Sequence, residues 1–159
     1  MSLRIRPAVA ADQAALAEQF LGLNRDEEPM AGNRRTDPEA GADCLTAAQC
    51  RVERTNGAAL VAEQDARVVG HLFLTFETDA AYVREPLRPY AYVSELYVHE
   101  EMRGQRIGRA LLLEAERQAR ARGIGRLMIG VLAGNARAEA LYRRLGFAPH
   151  AIEMAKRLS

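Results

Sequence analysis

Residues Tyr92–Leu113 read YVSELYVHEEMRGQRIGRALLL, and this stretch decides the fold. Tyr92 to Val98 is rich in β-branched and aromatic residues and predicts a strand. A turn holding Arg103, Gly104, Gln105, Arg106, Ile107 and Gly108 follows, and an amphipathic helix opens directly behind it. The first amides of a helix have no intrahelical acceptor and carry the positive end of its dipole. A glycine-containing turn lets an anion approach those amides closely, so strand, turn and helix together predict a phosphate site. Arg103, Arg106 and Arg109 add formal positive charge, which points to a pyrophosphate or polyphosphate ligand.

The turn lacks a Gly-Lys-Ser/Thr ending, which argues against a P-loop nucleotide hydrolase, and it is not the dinucleotide G-x-G-x-x-G. It resembles motif A of the GNAT superfamily of acyl-CoA N-acetyltransferases, written Arg/Gln-x-x-Gly-x-Gly/Ala. Arg103 fills the first position, Ile107 the apolar one and Gly108 the last. Arg106 stands where the superfamily usually has glycine, so a backbone conformation reserved for glycine is not expected there. A second match lies downstream. Asn135-Ala-Arg-Ala-Glu-Ala-Leu-Tyr142-Arg-Arg-Leu-Gly146-Phe147 reads as a short helix with an N-cap at Asn135 and a left-handed stop at Gly146. It resembles the GNAT segment after the fifth strand. The resemblance is firm over residues 90–147 and weaker over the N-terminal half.

Composition agrees with a single domain over residues 1–159, with 48% hydrophobic residues to fill a core. The formal net charge is +1, which gives no bulk attraction for nucleic acid or membrane. Neither a membrane span nor a secretory leader is expected, and Cys44 and Cys50 read as reduced thiols of a cytoplasmic protein. No metal site is expected.

The fold class is α/β (α+β), in the order βααβββαβαβ, with a twisted mixed, mostly antiparallel sheet flanked by helices. The expected elements are a strand at Leu3–Pro7, a helix over 11–23, a polar loop over 24–38 and a helix from Pro38 to Arg54. Strands follow at Ala59–Glu63, Val68–Phe76 and Tyr92–Val98, then a helix over 105–122, a strand at Arg126–Val131 and the Asn135 helix. A last strand is expected at Ala151–Arg157. With only twelve residues after Phe147, that strand leaves an edge that a second subunit could cover in a homodimer.

The resemblance implies acetyl transfer from acetyl-CoA directly to an amine, without a metal or covalent enzyme intermediate. Backbone groups of Leu96, Tyr97 and Val98 would bind the pantetheine arm, Gly104 to Arg109 the pyrophosphate, and Asn135 would sit beside the pantetheine. Tyr142 is the candidate general acid, because a phenol stays protonated at neutral pH. Glu95 is the candidate base, although simple alternation puts Val93, Glu95 and Tyr97 on one face and Ser94, Leu96 and Val98 on the other unless the strand is bulged. Some polyamine acetyltransferases of the superfamily carry glutamate where Ser94 stands. His71 is as readily a core residue as a base. The expected acceptor is a small-molecule amine. A peptide or protein acceptor and a non-catalytic acyl-CoA-binding module stay open, because the loops over 21–38 and 78–92 are mixed in charge.

Overall fold

The computed structural model describes residues 2–159. Its regular elements are β1 (Leu3–Pro7), α1 (Gln13–Ala31), α2 (Ala40–Arg54), β2 (Ala58–Gln64), β3 (Arg67–Thr78), β4 (Pro89–Val98), α3 (Ile107–Ala121), β5 (Leu127–Ile129) and α4 (Ala136–Arg144). The sheet runs β1-β2-β3-β4-β5; the first three pairings are antiparallel and β4–β5 is parallel. Asp65 and Ala66, both at positive φ, make the two-residue turn between β2 and β3. That handedness matches the twist of the flanking strands.

β3 is the spine of the molecule, buried from Val69 to Thr75. Leu72 and Leu74 pack with Leu111, Leu112 and Ala115 of α3 on one face. Phe73 on the opposite face packs with Leu16 and Phe20 of α1 and Leu45 of α2. Each strand side thus meets a helix stripe, so the alternation of period two and the helical spacing of the apolar residues agree. Arg6 fastens the N-terminal strand to this frame through Asp12 at 2.8 Å and Glu63 at 2.6 Å.

Two expectations are corrected. α1 does not end at residue 23 but continues two turns to Ala31, closed by Gly32 at φ +67. Asn24 to Glu28 are compatible with a helix, and Pro29 falls in the last turn, where Gly32 N–H still reaches Glu28 C=O at 2.8 Å. A proline there removes one hydrogen bond close to a terminus, a smaller loss than in a helix interior. The strand expected at Ala151–Arg157 does not form: residues 148–159 carry no regular structure and are exposed. The sheet therefore ends at the three-residue β5, and the order is βααβββαβα. The fold class itself stands.

α1 and α2 approach closely at Gly41. A Cβ built there would lie 2.2 Å from the Ala17 carbonyl oxygen, so the helices must spread to admit one. Gly41→Ala is expected to destabilise the protein by about 2 kcal/mol, lowering the Tm by roughly 4–8 °C. An unchanged melting curve would show that the helices are not held this close.

Candidate active site

The site begins with one surplus residue in β4. Phe73 of β3 pairs with Glu95, but the next residue, Leu74, pairs with Val93, so Ser94 has no partner and the strand bulges there. The Ser94 hydroxyl reaches the Phe73 carbonyl at 3.4 Å. The bulge places Val93 on the α3 face with Leu96 and leaves Glu95 and Tyr97 on the α1/α2 face, which corrects the grouping of Val93 with Glu95. It also separates two strands. β5 pairs with β4 only at Ala91, Tyr92 and Val93, and beyond that point β4 follows β3 and leaves β5. Bulges bend a strand and raise its local twist, and here the bend opens a cleft of about 900 Å³.

Leu96, Tyr97 and Val98 line this cleft, as do Arg103, Gly104, Arg106, Ile107, Gly108 and Arg109 of the turn, and Asn135 and Tyr142 of the α4 region. Two expected residues do not. Gln105 is exposed, its amide 3.8 Å from the Met102 sulfur, and Glu95, paired with Phe73 on the α1/α2 face, is outside the lining.

The first bond of α3 runs from Ala110 N–H to Arg106 C=O at 3.0 Å. The amides before it are the orphan donors of a helix start, and they belong to residues that line the cleft. Gly108 lets α4 come near: a Cβ there would lie 3.3 Å from Leu141 Cδ2. Arg106, the N-cap, lies at φ 64, ψ 15. The turn therefore uses the left-handed region that glycine favours but other residues can enter, and arginine adopts it at a cost. Arg103 is already engaged. Its Nε donates to the Val98 carbonyl at 2.9 Å and its guanidinium pairs with Asp26 of α1, beneath the Tyr97 ring.

Asn135 caps α4 as predicted, its side-chain oxygen accepting from Ala138 N–H at 3.2 Å. Tyr142 is half-buried against Phe147, with ring centroids 5.9 Å apart. Burial, reinforced by the Glu27 carboxylate, pushes its phenol up to about 12. Burial also pushes Glu95 up to about 7, again with help from Glu27 and against Arg51 and Arg34. His71 is not a base. It is sealed in the core, stacked 4.7 Å from Phe20, and burial drives it down to about 3. Gln19 Nε2 donates to the Val68 carbonyl at 2.9 Å, so its oxygen accepts from His71 Nδ1–H, also at 2.9 Å.

Sequence reasoning placed residues 21–38, with Asp26 and Glu27, in a loop near the acceptor and missed that they are helical as far as Ala31. Asp26, Glu27 and Met30 line the cleft from the two extra turns of α1, after Leu23 at the end of the expected helix. Their 3- and 4-residue spacing was the available signal, hidden by reading Pro29 and Gly32 as breakers. Glu27 is held by Arg34 Nε at 2.6 Å. Arg137 and Arg144 of α4 were missed as well. No cluster of three or more His, Cys, Asp or Glu side chains suited to a metal occurs among the described residues. No helix among them is long and apolar enough to cross a membrane.

Comparison with known proteins agrees with this fold. The model of the acetyltransferase (GNAT) family matches residues 17–147. An IAA acetyltransferase of Azospirillum brasilense is 35% identical over 89 residues, covering 56% of this chain and 53% of that protein. The match therefore spans about half the length of that relative. A GCN5-related N-acetyltransferase from Ralstonia eutropha superposes with a TM-score of 0.76 over 99% of each chain at 22% identity. A predicted acetyltransferase with acetyl-CoA from Clostridium acetobutylicum gives a TM-score of 0.77 over 98% of this chain and 96% of that one, at 14% identity. At these identities the structural likeness speaks for the fold.

Replacing Arg106 by glycine removes the positive-φ cost. Arg106→Gly is expected to raise stability by up to about 1 kcal/mol, read as a higher midpoint in urea unfolding. A lower midpoint would mean that the arginine side chain contributes more than its backbone costs.

Proposed function

The chain belongs to the GNAT acetyltransferase family, and from that premise we propose that it moves the acetyl group of acetyl-CoA directly to a primary amine of a small molecule. The observation that carries this reading is the divergence of β4 from β5. It leaves the edge of Leu96–Val98 free of strand pairing, beside a helix start with orphan amides. A long ligand with a diphosphate at one end and amides along its arm fits that combination. The orphan N–H groups and Arg106 and Arg109 suit the diphosphate, and the free strand edge suits the arm.

Acetyl-CoA, when bound, supplies a thioester carbonyl open to attack by nitrogen. The residues of this chain have three tasks around it. Backbone groups of Leu96 to Val98 orient the arm and stabilise negative charge developing on the carbonyl oxygen. Glu95 takes a proton from the acceptor amine. Glu95 is not among the residues lining the cleft, so the transfer runs through an ordered water. At about 7 its pKa sits near neutrality, where a base is both available and strong. Tyr142 keeps its proton at neutral pH and gives it to the departing sulfur. The burial that weakens the phenol as an acid also raises the proton affinity of a thiolate in the same pocket. One N–C bond forms, one C–S bond breaks, and one proton leaves the amine while another reaches the thiolate.

The C-terminal half of α1 supports a small acceptor. Leu23, Glu27 and Met30 of α1 line the same cleft as Leu141 and Tyr142 of α4, and a concave pocket walled from both helices suits a compact ligand better than an extended chain. The test is free-thiol release from acetyl-CoA against panels of amines and short peptides, with calorimetry of acetyl-CoA binding on the same sample. Turnover with small amines is expected; turnover with peptides alone would replace the acceptor, and absence of acetyl-CoA binding would sink the reading.

Two variants probe the roles. Below about pH 7 the wild-type kcat/KM is expected to fall tenfold per pH unit as Glu95 protonates. Glu95→Gln should abolish that limb and lower kcat by about 10²–10⁴-fold. An unaltered pH profile in the variant would assign the base elsewhere. Tyr142→Phe should lower kcat by about tenfold or more while the acetyl-CoA Kd stays within about twofold, since only the transition state needs the proton. A weaker Kd at unchanged kcat would make the hydroxyl a binding group.

A further inference from the structure

Four arginines line one cleft from two helices: Arg106 and Arg109 at the start of α3, Arg137 and Arg144 on α4. All four are exposed, and none pairs with an acidic side chain among the described residues, whereas their neighbours do. Arg103 pairs with Asp26, Arg117 with Glu114 at 2.7 Å, and Arg143 with Glu139 at 2.8 Å. In a chain of 22 basic and 21 acidic residues, this is a local surplus of positive charge.

The α4 pair has a defined place. Arg137, Leu141 and Arg144 recur at i, i+4 and i+7, which makes one stripe along the helix. Leu141 is the residue whose Cδ2 would meet a Cβ on Gly108, so the stripe lies against the start of α3. Arg137 and Arg144 therefore flank that contact, with Cα atoms about 10 Å apart at 1.5 Å per residue, and guanidinium groups long enough to reach a common ligand.

Orphan amides with Arg106 and Arg109 already suffice for a diphosphate, and the α4 pair is in excess of it. We infer that Arg137 and Arg144 bind a third phosphate, the monoester on the ribose 3′-oxygen of CoA. A phosphomonoester carries between one and two further negative charges at neutral pH and three acceptor oxygens. Guanidinium groups match such oxygens in bidentate fashion and hold their charge at any working pH. This inference rests on the acetyl-CoA reading and goes beyond it, because it assigns a preference for CoA over its 3′-dephospho form to two side chains of α4.

The experiment is calorimetry of the full chain with CoA and with dephospho-CoA, for the wild type, for Arg137→Ala/Arg144→Ala and for Arg137→Lys/Arg144→Lys, with circular dichroism confirming that each is folded. The wild type is expected to bind CoA at least tenfold more tightly than dephospho-CoA. The alanine pair should lose most of that ratio by weakening CoA alone, and the lysine pair should keep part of it. Equal wild-type affinities would overturn the inference while leaving the acetyl-CoA reading intact. Equal weakening of both ligands by the alanine pair would also overturn it, since that is the signature of general attraction. Failure of the wild type to bind either ligand would remove the reading and the inference together.

Discussion

Between Val93 and Glu95 the fourth strand holds one residue more than its antiparallel partner can match, and a sheet absorbs such a surplus either by slipping the whole register or by bending locally. A slip would carry Tyr97 and Glu95 to the face that packs against α3 and bring Leu96 among the α1 and α2 side chains, exchanging polar for apolar surface in both cores. The bend at Ser94 keeps both cores intact, and its cost falls on β5, which loses its neighbour after Val93. The cleft is therefore a by-product of satisfying two hydrophobic faces at once. Everything that lines it depends on that geometry: the free edge of Leu96–Val98, the turn before α3 and the α4 stripe that closes over Gly108.

Burial acts on three titratable groups around this frame with opposite consequences. His71 is depressed far below its ordinary value, so its neutral form contributes stability above about pH 6.5 that is lost as pH falls toward 3. Glu95 is raised, so the stability it contributes is fully present at pH values below its ordinary carboxylate range and is lost as pH rises through about 7. The protein thus holds an ionising carboxylate in a place that destabilises the fold at neutral pH, which is the usual relation between a reactive group and its scaffold. Tyr142 is raised out of the working range and remains neutral throughout.

Much of this was legible in the chain, and the exceptions have physical reasons. The strand–turn–helix unit around Gly104 and the Asn135–Gly146 helix were readable because their caps and turns are local chemistry, and local chemistry is written in adjacent residues. The extra turns of α1 were not, because Pro29 and Gly32 carry the same letters whether they break a helix early or sit in its last turn. The expected strand at Ala151–Arg157 has alternation but no partner in the sheet, and a strand exists only where another strand receives its hydrogen bonds. The bulge at Ser94 is invisible to any reading of one strand alone, since it is a mismatch between two. For Glu95 this meant that the residue could be nominated but not oriented. For Arg106 the sequence showed a missing glycine, and only the backbone revealed that the left-handed turn persists without it.

β3 touches both hydrophobic clusters, and it is buried on both sides. That arrangement separates the molecule into two mutational neighbourhoods that share one wall. The buried clusters against α1–α2 and against α3 have no residue in common, so core substitutions in one and in the other should be close to additive in their effects on stability. A lineage built on this plan can drift on one side of the sheet while the other is held under selection. β3, with β2 beside it, cannot change without answering to both.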